Sequence, residues 1–386
     1  MASNIVNKAD VVIIGGGITG CSIAYNLARR GCRNVVVVER QYLAAGATGR
    51  CGAGVRQQWG TEMNCRLAKA SVEFFERMNE ELEYTRDVEF KQGGYLILAY
   101  TEKQLEQFKK NVALQNSLGI PSKLISPEEA RRIVPHLNTE GLLGATFCGT
   151  DGHANPFHAT QAYADAARRL GVKIYTYTEV TGIKVAGGRV QAVVTDKGEI
   201  ATPVVVNAAG PYSAVAGRMA GLELPIYPER HQILATEPVE PMQGPMVISF
   251  HHHLYCQQTP HGSFIMGVGD PNEPQSFNIL SSWQFLEEMA KQATWLLPVT
   301  RHLRVVRQWA GLYTMTQDRQ PILGGHPELE GFYMAIGFSG HGFMIAPMTG
   351  QLMAELILGQ KLSLPIDRLD VGRFARGELV LEPSVV

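Results

Sequence analysis

Asp10-Val11-Val12-Ile13-Ile14-Gly15-Gly16-Gly17-Ile18-Thr19-Gly20 decides the fold class of this 386-residue chain. The run from Asp10 to Ile14 is continuous, apolar and β-branched, as a strand buried on both faces of a parallel sheet must be. Gly15, Gly17 and Gly20 then fit G-x-G-x-x-G. The first glycine permits the tight turn, the second lets backbone approach a pyrophosphate, and the third lets helix pack closely on strand. A helical stretch follows, with Ile18, Cys21, Ala24, Leu27 and Ala28 on one face and Gly31 at its end. Its N-terminus turns free N–H groups and the positive end of the helix dipole toward phosphate. A second buried strand, Val35 to Val38, ends in Glu39, 19 residues after Gly20 and suited to ribose hydroxyls. A lone glycine motif is weak; strand, turn, helix, strand and terminal acid in this order read as a dinucleotide site. Glu39 and the adjacent Arg40 are assigned to the cofactor. Glu39 would repel the 2′-phosphate of NADP, while NAD and FAD both remain open at this point.

Size and charge narrow the class further. The length suits two or three domains. A formal net charge of −1 leaves no basic footprint for nucleic acid. Apolar runs such as Val35 to Val38 are far too short to span a bilayer. The opening MASNIVNKAD has no apolar secretory core, and the six cysteines form no CxxC pair. Reduced thiols in a cytoplasmic setting are expected. No repeat or low-complexity linker separates the chain into beads, so any domains must interleave.

Four segments spread from end to end carry a more specific signal. The first is the glycine fingerprint with its sequel, residues 46–58 (GATGRCGAGVRQQ), which includes Thr48, Arg50 and Arg56. The second is Thr178 to Ile183 followed by Thr195-Asp196-Lys197-Gly198, a strand–hairpin–strand pattern around Val180. The third, Val204 to Ser213 (VVVNAAGPYS), is a buried strand leading to Gly210. The fourth is Gly337-Phe338-Ser339-Gly340-His341-Gly342-Phe343-Met344, a glycine-rich turn opening a helix near Ala346. Through these segments the whole chain resembles the D-amino-acid oxidase/sarcosine oxidase family of flavoenzymes. The resemblance implies FAD, with the first stretch wrapping the pyrophosphate, the backbone at Val180 holding adenine, and residues 340–344 clamping the pyrimidine end of the isoalloxazine. A glycine-rich turn at a helix N-terminus is physically suited to negative charge near N1 and O2 of reduced flavin.

The implied architecture is an α/β protein, α+β overall. A Rossmann-like FAD-binding domain comes from residues 1–80, 150–215 and 315–375. A substrate domain on a mostly antiparallel sheet comes from residues 81–149 and 216–314. Gly93 to Ala99 and Ser263 to Gly267 read as strands of that sheet, and Ser126-Pro127-Glu128-Glu129 as a capped helix start.

The implied activity is oxidation of the C–N bond of a small amino acid such as sarcosine, proline or glycine, by hydride transfer to flavin N5. Two alternatives stand beside it: oxidation of a hydroxy acid or glycerol phosphate, and service as a flavoprotein subunit of a heteromeric dehydrogenase. A substrate carboxylate calls for the planar fork of arginine. By resemblance to monomeric sarcosine oxidases Arg56 holds that carboxylate, Trp59 falls on an aromatic position, Tyr313 lines the substrate pocket and His341 sits at the flavin. Arg50 touches or braces FAD. The chain departs from those oxidases at three positions. Gly311 stands where they tether flavin through cysteine, so FAD is expected to be non-covalent. Met344 and Ile265 replace two lysines, the second of which activates oxygen. These departures resemble the branch of sarcosine oxidase β subunits and proline dehydrogenase β subunits, as does Asp151 to Phe157 (DGHANPF). That branch implies partner subunits, with FMN only where a partner is present, and an acceptor that is either O₂ or a quinone- or dye-like molecule. The triplet His251-His252-His253 is a poor metal site, because neighbours on a strand point to opposite faces. No metal is expected, and Tyr255, just beyond the triplet, is a candidate to face the flavin.

Overall fold

The computed structural model describes residues 5–383. The strand Val11–Ile14 lies at the centre of a nine-stranded sheet. Parallel pairing joins it to Val35–Val38 on one side and Val205–Asn207 on the other, and continues outward to Lys173–Tyr175 and to Leu329–Ile336. Val11, Val12 and Ile13 are almost wholly buried, as are the four valines paired with this strand. Helices cover one face, with Ile23 and Leu27 of the first helix (Ile18–Arg29) packed among Leu352 and Met353 of a later one (Gly342–Ile357). An antiparallel hairpin, Val180–Ala186 with Arg189–Thr195, extends the sheet beyond its parallel core.

A second, eight-stranded sheet runs in the order 305–315, 227–238, 263–268, 254–258, 246–249, 95–99, 144–148, 123–125. Its pairings are antiparallel except between Met246–Ser249 and Tyr95–Ala99. Its longest ladder joins Tyr227–Pro238 to Val305–Met315, with Glu229 opposite Tyr313 and His231 opposite Gly311. The helix Trp283–Leu296 packs Phe285 and Met289 into the apolar core of this sheet. Alternate residues of the 227–238 strand point to opposite faces. Glu229, His231 and Ile233 therefore share one face. Arg230 goes to the other, where it forms a two-pronged ion pair with Glu273.

Two sets of contacts brace the framework around the sheets. Arg50 donates from Nε to the Ala45 carbonyl and from Nη1 to the Ala310 carbonyl, while Trp309 Nε1 donates to the Arg50 carbonyl. Further on, Asp318 and Arg373 make a fully buried two-pronged pair at 2.8 and 2.9 Å. The pair ties the turn before the strand Ile322–His326 to the C-terminal segment, where Val380 N–H donates to Asp318. Among the described residues no helix is long and apolar enough to cross a membrane.

Candidate active site

The main cleft begins where the first strand meets the first helix. Gly15 has φ +116°, and a Cβ there would lie 2.3 Å from the Ala208 carbonyl oxygen. A Cβ on Gly20 would lie 2.0 Å from the Gly15 carbonyl oxygen. Only glycine fits either position, so the backbone of residues 15–17 is bare toward the cleft. Gly17 caps the helix without a side-chain bond, leaving that N-terminus to an anion. Glu39 accepts from the Gly16 and Gln41 amides, both at 2.8 Å, which fixes the carboxylate at the rim. Arg40 lies 3.7 Å over the Tyr212 ring, and Phe277 stacks on the same ring at 4.9 Å. Thr48, Val180 and Gly210 complete this end of the cleft.

The other end lies between the 337–343 turn and the large antiparallel sheet. Gly337, Ser339 and Gly340 all have positive φ, at 73°, 44° and 95°. Ser339 is held there by its N–H bond to the Thr314 carbonyl. Backbone held this tightly in the left-handed region is a common feature of ligand clamps. Gly340, Gly342 and Phe343 face the cleft, and the helix Gly342–Ile357 begins there with no side-chain cap. A Cβ on Gly340 would fall 2.5 Å from the Tyr313 ring, so the turn and that ring are in direct contact across the cleft. Tyr313, Tyr255 and His231 form the wall on the sheet side. His231 stacks on Tyr313 with centroids 3.7 Å apart. Burial raises the Tyr255 and Tyr313 hydroxyls, and pushes the Cys51 thiol beside them up to about 11, so all three stay protonated near neutrality. Gly311 also lines the cleft, and a Cβ there would meet the Arg50 Cβ at 3.1 Å.

Arg56 and His341 do not line this cleft; they sit together behind the 340–342 turn. Arg56 is buried, with its guanidinium 4.1 Å over the Trp59 ring, and Trp59 meets His341 edge-on at 5.0 Å. Burial lowers the Arg56 pKa. Burial, and then the nearby Arg56 charge, lower His341 to about 3, so His341 is a neutral imidazole. Asp151 holds the Arg56 loop by accepting from the Gln57 amide and the Gln58 side chain. Met344 is half-buried in the first turn of its helix, and Gly20 lies under the fingerprint, both off the cleft surface.

A second cavity opens on the other side of residues 50–51. Arg50 and Cys51 line both spaces, and Ile265, Phe157, Gln257 and Trp309 line only the second. No lysine lines either cavity. The His251–His253 triplet forms a turn in which His252 packs on Trp295 and Tyr100. Among the described residues no group of three or more His, Cys, Asp or Glu is placed to hold a metal ion, and the cysteines are free.

His231 and Ile233 face the cleft without having stood out in the sequence. The Glu229-x-His231 spacing, which puts an acid and a histidine on one face of a strand, was the available signal. Tyr212, which lines the cleft under Arg40, had no comparable local mark.

A bare fingerprint turn, an acid at the end of the second strand and a glycine clamp opening a helix define a flavin dinucleotide-binding oxidoreductase. The model of the FAD dependent oxidoreductase family, DAO, matches residues 10–356, and the chain belongs to that family. It is 30% identical over 380 residues to a sarcosine oxidase subunit beta of Rhodobacter capsulatus, covering 97% of this chain and 91% of that one. It is 30% identical over 358 residues to a glycine oxidase of Bacillus licheniformis, covering 91% and 94%. The structure of L-proline dehydrogenase from P. horikoshii superposes with a TM-score of 0.93 at 42% identity, over 97% of this chain and all of that one. FAD fits the residues present: Gly15, Gly17 and the uncapped first helix suit its pyrophosphate, Glu39 its ribose, and the 340–343 turn its ring.

Proposed function

We propose that this enzyme oxidises the C–N bond of a small amino acid, of the kind represented by sarcosine, proline and glycine, to an imine that hydrolyses in water. The bound FAD supplies the hydride acceptor at N5. The chain's own residues dock the carboxylate, present the nitrogen and keep water out. One observation carries the reading: the buried Arg56 guanidinium, stacked on Trp59, lies beside His341 of the flavin clamp. A monocarboxylate needs one such fork, whereas a phosphate ester would call for several converging cations, and of the arginines lining the cleft Arg40 lies over Tyr212 and Arg50 is bound to two carbonyls. The similarity to sarcosine oxidase, glycine oxidase and proline dehydrogenase supports the amine over a hydroxy acid. The two sheets support a division into an FAD-binding unit (1–80, 150–215, 315–375) and a substrate unit (81–149, 216–314). The test is anaerobic bleaching of the enzyme's flavin by a panel of N-methyl, cyclic and D-amino acids, with lactate and glycerol 3-phosphate alongside. Amino acids should bleach it, and acid should release the chromophore as intact FAD. Bleaching by the hydroxy compounds alone would overturn the reading.

The natural acceptor is better read as a quinone-like molecule or a partner's redox group than as O₂. Electron transfer to O₂ creates negative charge that a nearby lysine would stabilise in a dry site, and neither cavity has one. Met344 and Ile265 stand where resemblance to the monomeric oxidases places lysines. Stopped-flow reoxidation of substrate-reduced enzyme should be at least about tenfold slower with air than with a dye, a barrier difference of ~1.4 kcal/mol. Equal rates would refute the dehydrogenase reading. The similarity to a chain named as a β subunit supports work beside partner subunits, with FMN entering only where such a partner completes its site.

A further inference from the structure

Glu229 and His231 lie two residues apart on the strand Tyr227–Pro238 and share its cleft-side face. The Glu229 carboxylate lies 3.2 Å from His231 Nε2. A carboxylate only accepts, so this contact selects the tautomer with hydrogen on Nε2 and leaves Nδ1 with a free lone pair. The Tyr313 ring, stacked at 3.7 Å and 17°, holds the imidazole plane. The two residues opposite this pair in the ladder are Tyr313 and Gly311. An acid that orients a histidine, and a histidine on the cleft wall whose other nitrogen is free, form the usual arrangement of a proton acceptor.

The amino-acid reading requires such a group. An amino acid arrives with its nitrogen protonated, and a protonated nitrogen has no lone pair to push hydride off the adjacent carbon. The titratable or charged side chains around His231 are Glu229 and Tyr313 in contact with it, His253 across Gly269, and Tyr255, Arg50 and Cys51 lining the same cleft. The phenols and the thiol are held protonated by burial and cannot accept. Arg50 is a cation. His253 lies in the exposed turn and does not line the cleft. Glu39 and Glu179 line the cleft at its ribose end, where Glu39 is bound to two amides.

Resting on that reading, we infer that His231, oriented by Glu229, takes the proton from the substrate ammonium before hydride transfer. The N–H bond of the ammonium breaks, an Nδ1–H bond forms, and the electron pair left on the substrate nitrogen becomes the C=N bond as hydride departs to FAD. Glu229 is a positioning residue: it fixes the tautomer and stabilises the imidazolium that results.

The experiment measures the anaerobic rate of flavin reduction against pH for wild type, His231→Asn and Glu229→Gln, using an amino acid that bleaches the wild type. His231→Asn should lose about 10²-fold near pH 7. It should recover to within about threefold of wild type above about pH 10, where an aliphatic amine sheds its proton unaided. Glu229→Gln should lose less and show the same alkaline recovery. A readout independent of turnover accompanies these: tetrahydro-2-furoate, a ring carboxylate with no ammonium, should perturb the flavin spectrum of all three proteins with the same Kd. A loss equal at every pH, or no loss, would overturn the assignment while leaving the amino-acid reading intact. Failure of every amino acid to bleach wild-type flavin would instead remove that reading, and this inference with it.

Discussion

Asp318→Ala is expected to cost about 3–5 kcal/mol of stability, the scale for leaving one member of a buried ion pair uncompensated. Asp318 and Arg373 are 0% and 1% exposed, so water cannot replace the missing partner. Asp318 also accepts from the Gln320 and Val380 amides and from the Thr316 hydroxyl. Its loss therefore leaves the Arg373 charge with backbone carbonyls alone and releases the Val380 amide of the C-terminal segment. Burial pushes the Asp318 carboxyl up, but Arg373 and those amides outweigh it and hold it below the ordinary range. A carboxyl lowered by folding contributes stability above its unfolded value, about 3.9, and loses that contribution as pH falls through the folded value. The deficit of Asp318→Ala should thus be full at pH 7 and shrink below about pH 4. Urea denaturation at both pH values measures it. Asp318→Leu with Arg373→Met should recover most of the loss, because an apolar pair of similar size carries no desolvation cost. A deficit under about 1 kcal/mol at pH 7 would show that the pair does not hold this end of the chain.

Such a pair is what a sequence conceals, since Asp318 and Arg373 are 55 residues apart and nothing local marks either as the other's partner. Local signals fared differently. Asp10 to Ile14 and Val35 to Val38 were legible because a run with no polar alternation can only be a strand buried on both faces. The Ser126–Glu129 start was legible because its capping bonds close within four residues, and both are present. The strand from Val180 and the tight turn at Thr195-Asp196-Lys197-Gly198 were legible from β-branched residues and turn chemistry, and that turn joins Arg189–Thr195 to Gly198–Ala201. The long ladder of 227–238 with 305–315 carried no such mark. Its strands are mixed in polarity and far apart in the chain, and only their pairing brings His231 against Tyr313. Cleft positions were read most easily where chemistry dictates backbone, as at Gly15 and Gly17. Arg40 was read beside Glu39, but its stacking on Tyr212 and Phe277, side chains from distant parts of the chain, carried no local signal.

Arg56→Ala is expected to lower kcat/KM for the preferred amino acid by about 2–4 kcal/mol, the scale for removing a charge-assisted, two-pronged hydrogen bond from a dry site. The loop that carries Arg56 is pinned on both sides. Asp151 accepts from the Gln57 amide at 2.7 Å and the Gln58 side chain at 3.0 Å, and Trp59 Nε1 donates back to the Arg56 carbonyl. The indole lies under the guanidinium plane, and His341, neutral because it is buried next to this cation, adds no competing charge. If this site docks the substrate, most of the loss should appear in the Kd for substrate and for non-oxidisable carboxylates, with FAD content unchanged. Arg56→Lys should recover only part of the loss, because an ammonium is a point charge without the fork and stacks less well on Trp59. Trp59→Leu should weaken the same carboxylates by a smaller factor, since it removes the surface that holds the guanidinium plane but keeps the charge. The measurement is a spectral titration of each variant with carboxylate ligands, run beside steady-state kinetics and FAD quantitation. Carboxylate affinity that stays unchanged while FAD occupancy collapses would assign Arg56 to the support of the clamp turn, and the substrate carboxylate would then have to be held by a cation of the cleft itself, Arg50 being the one nearest Gly311.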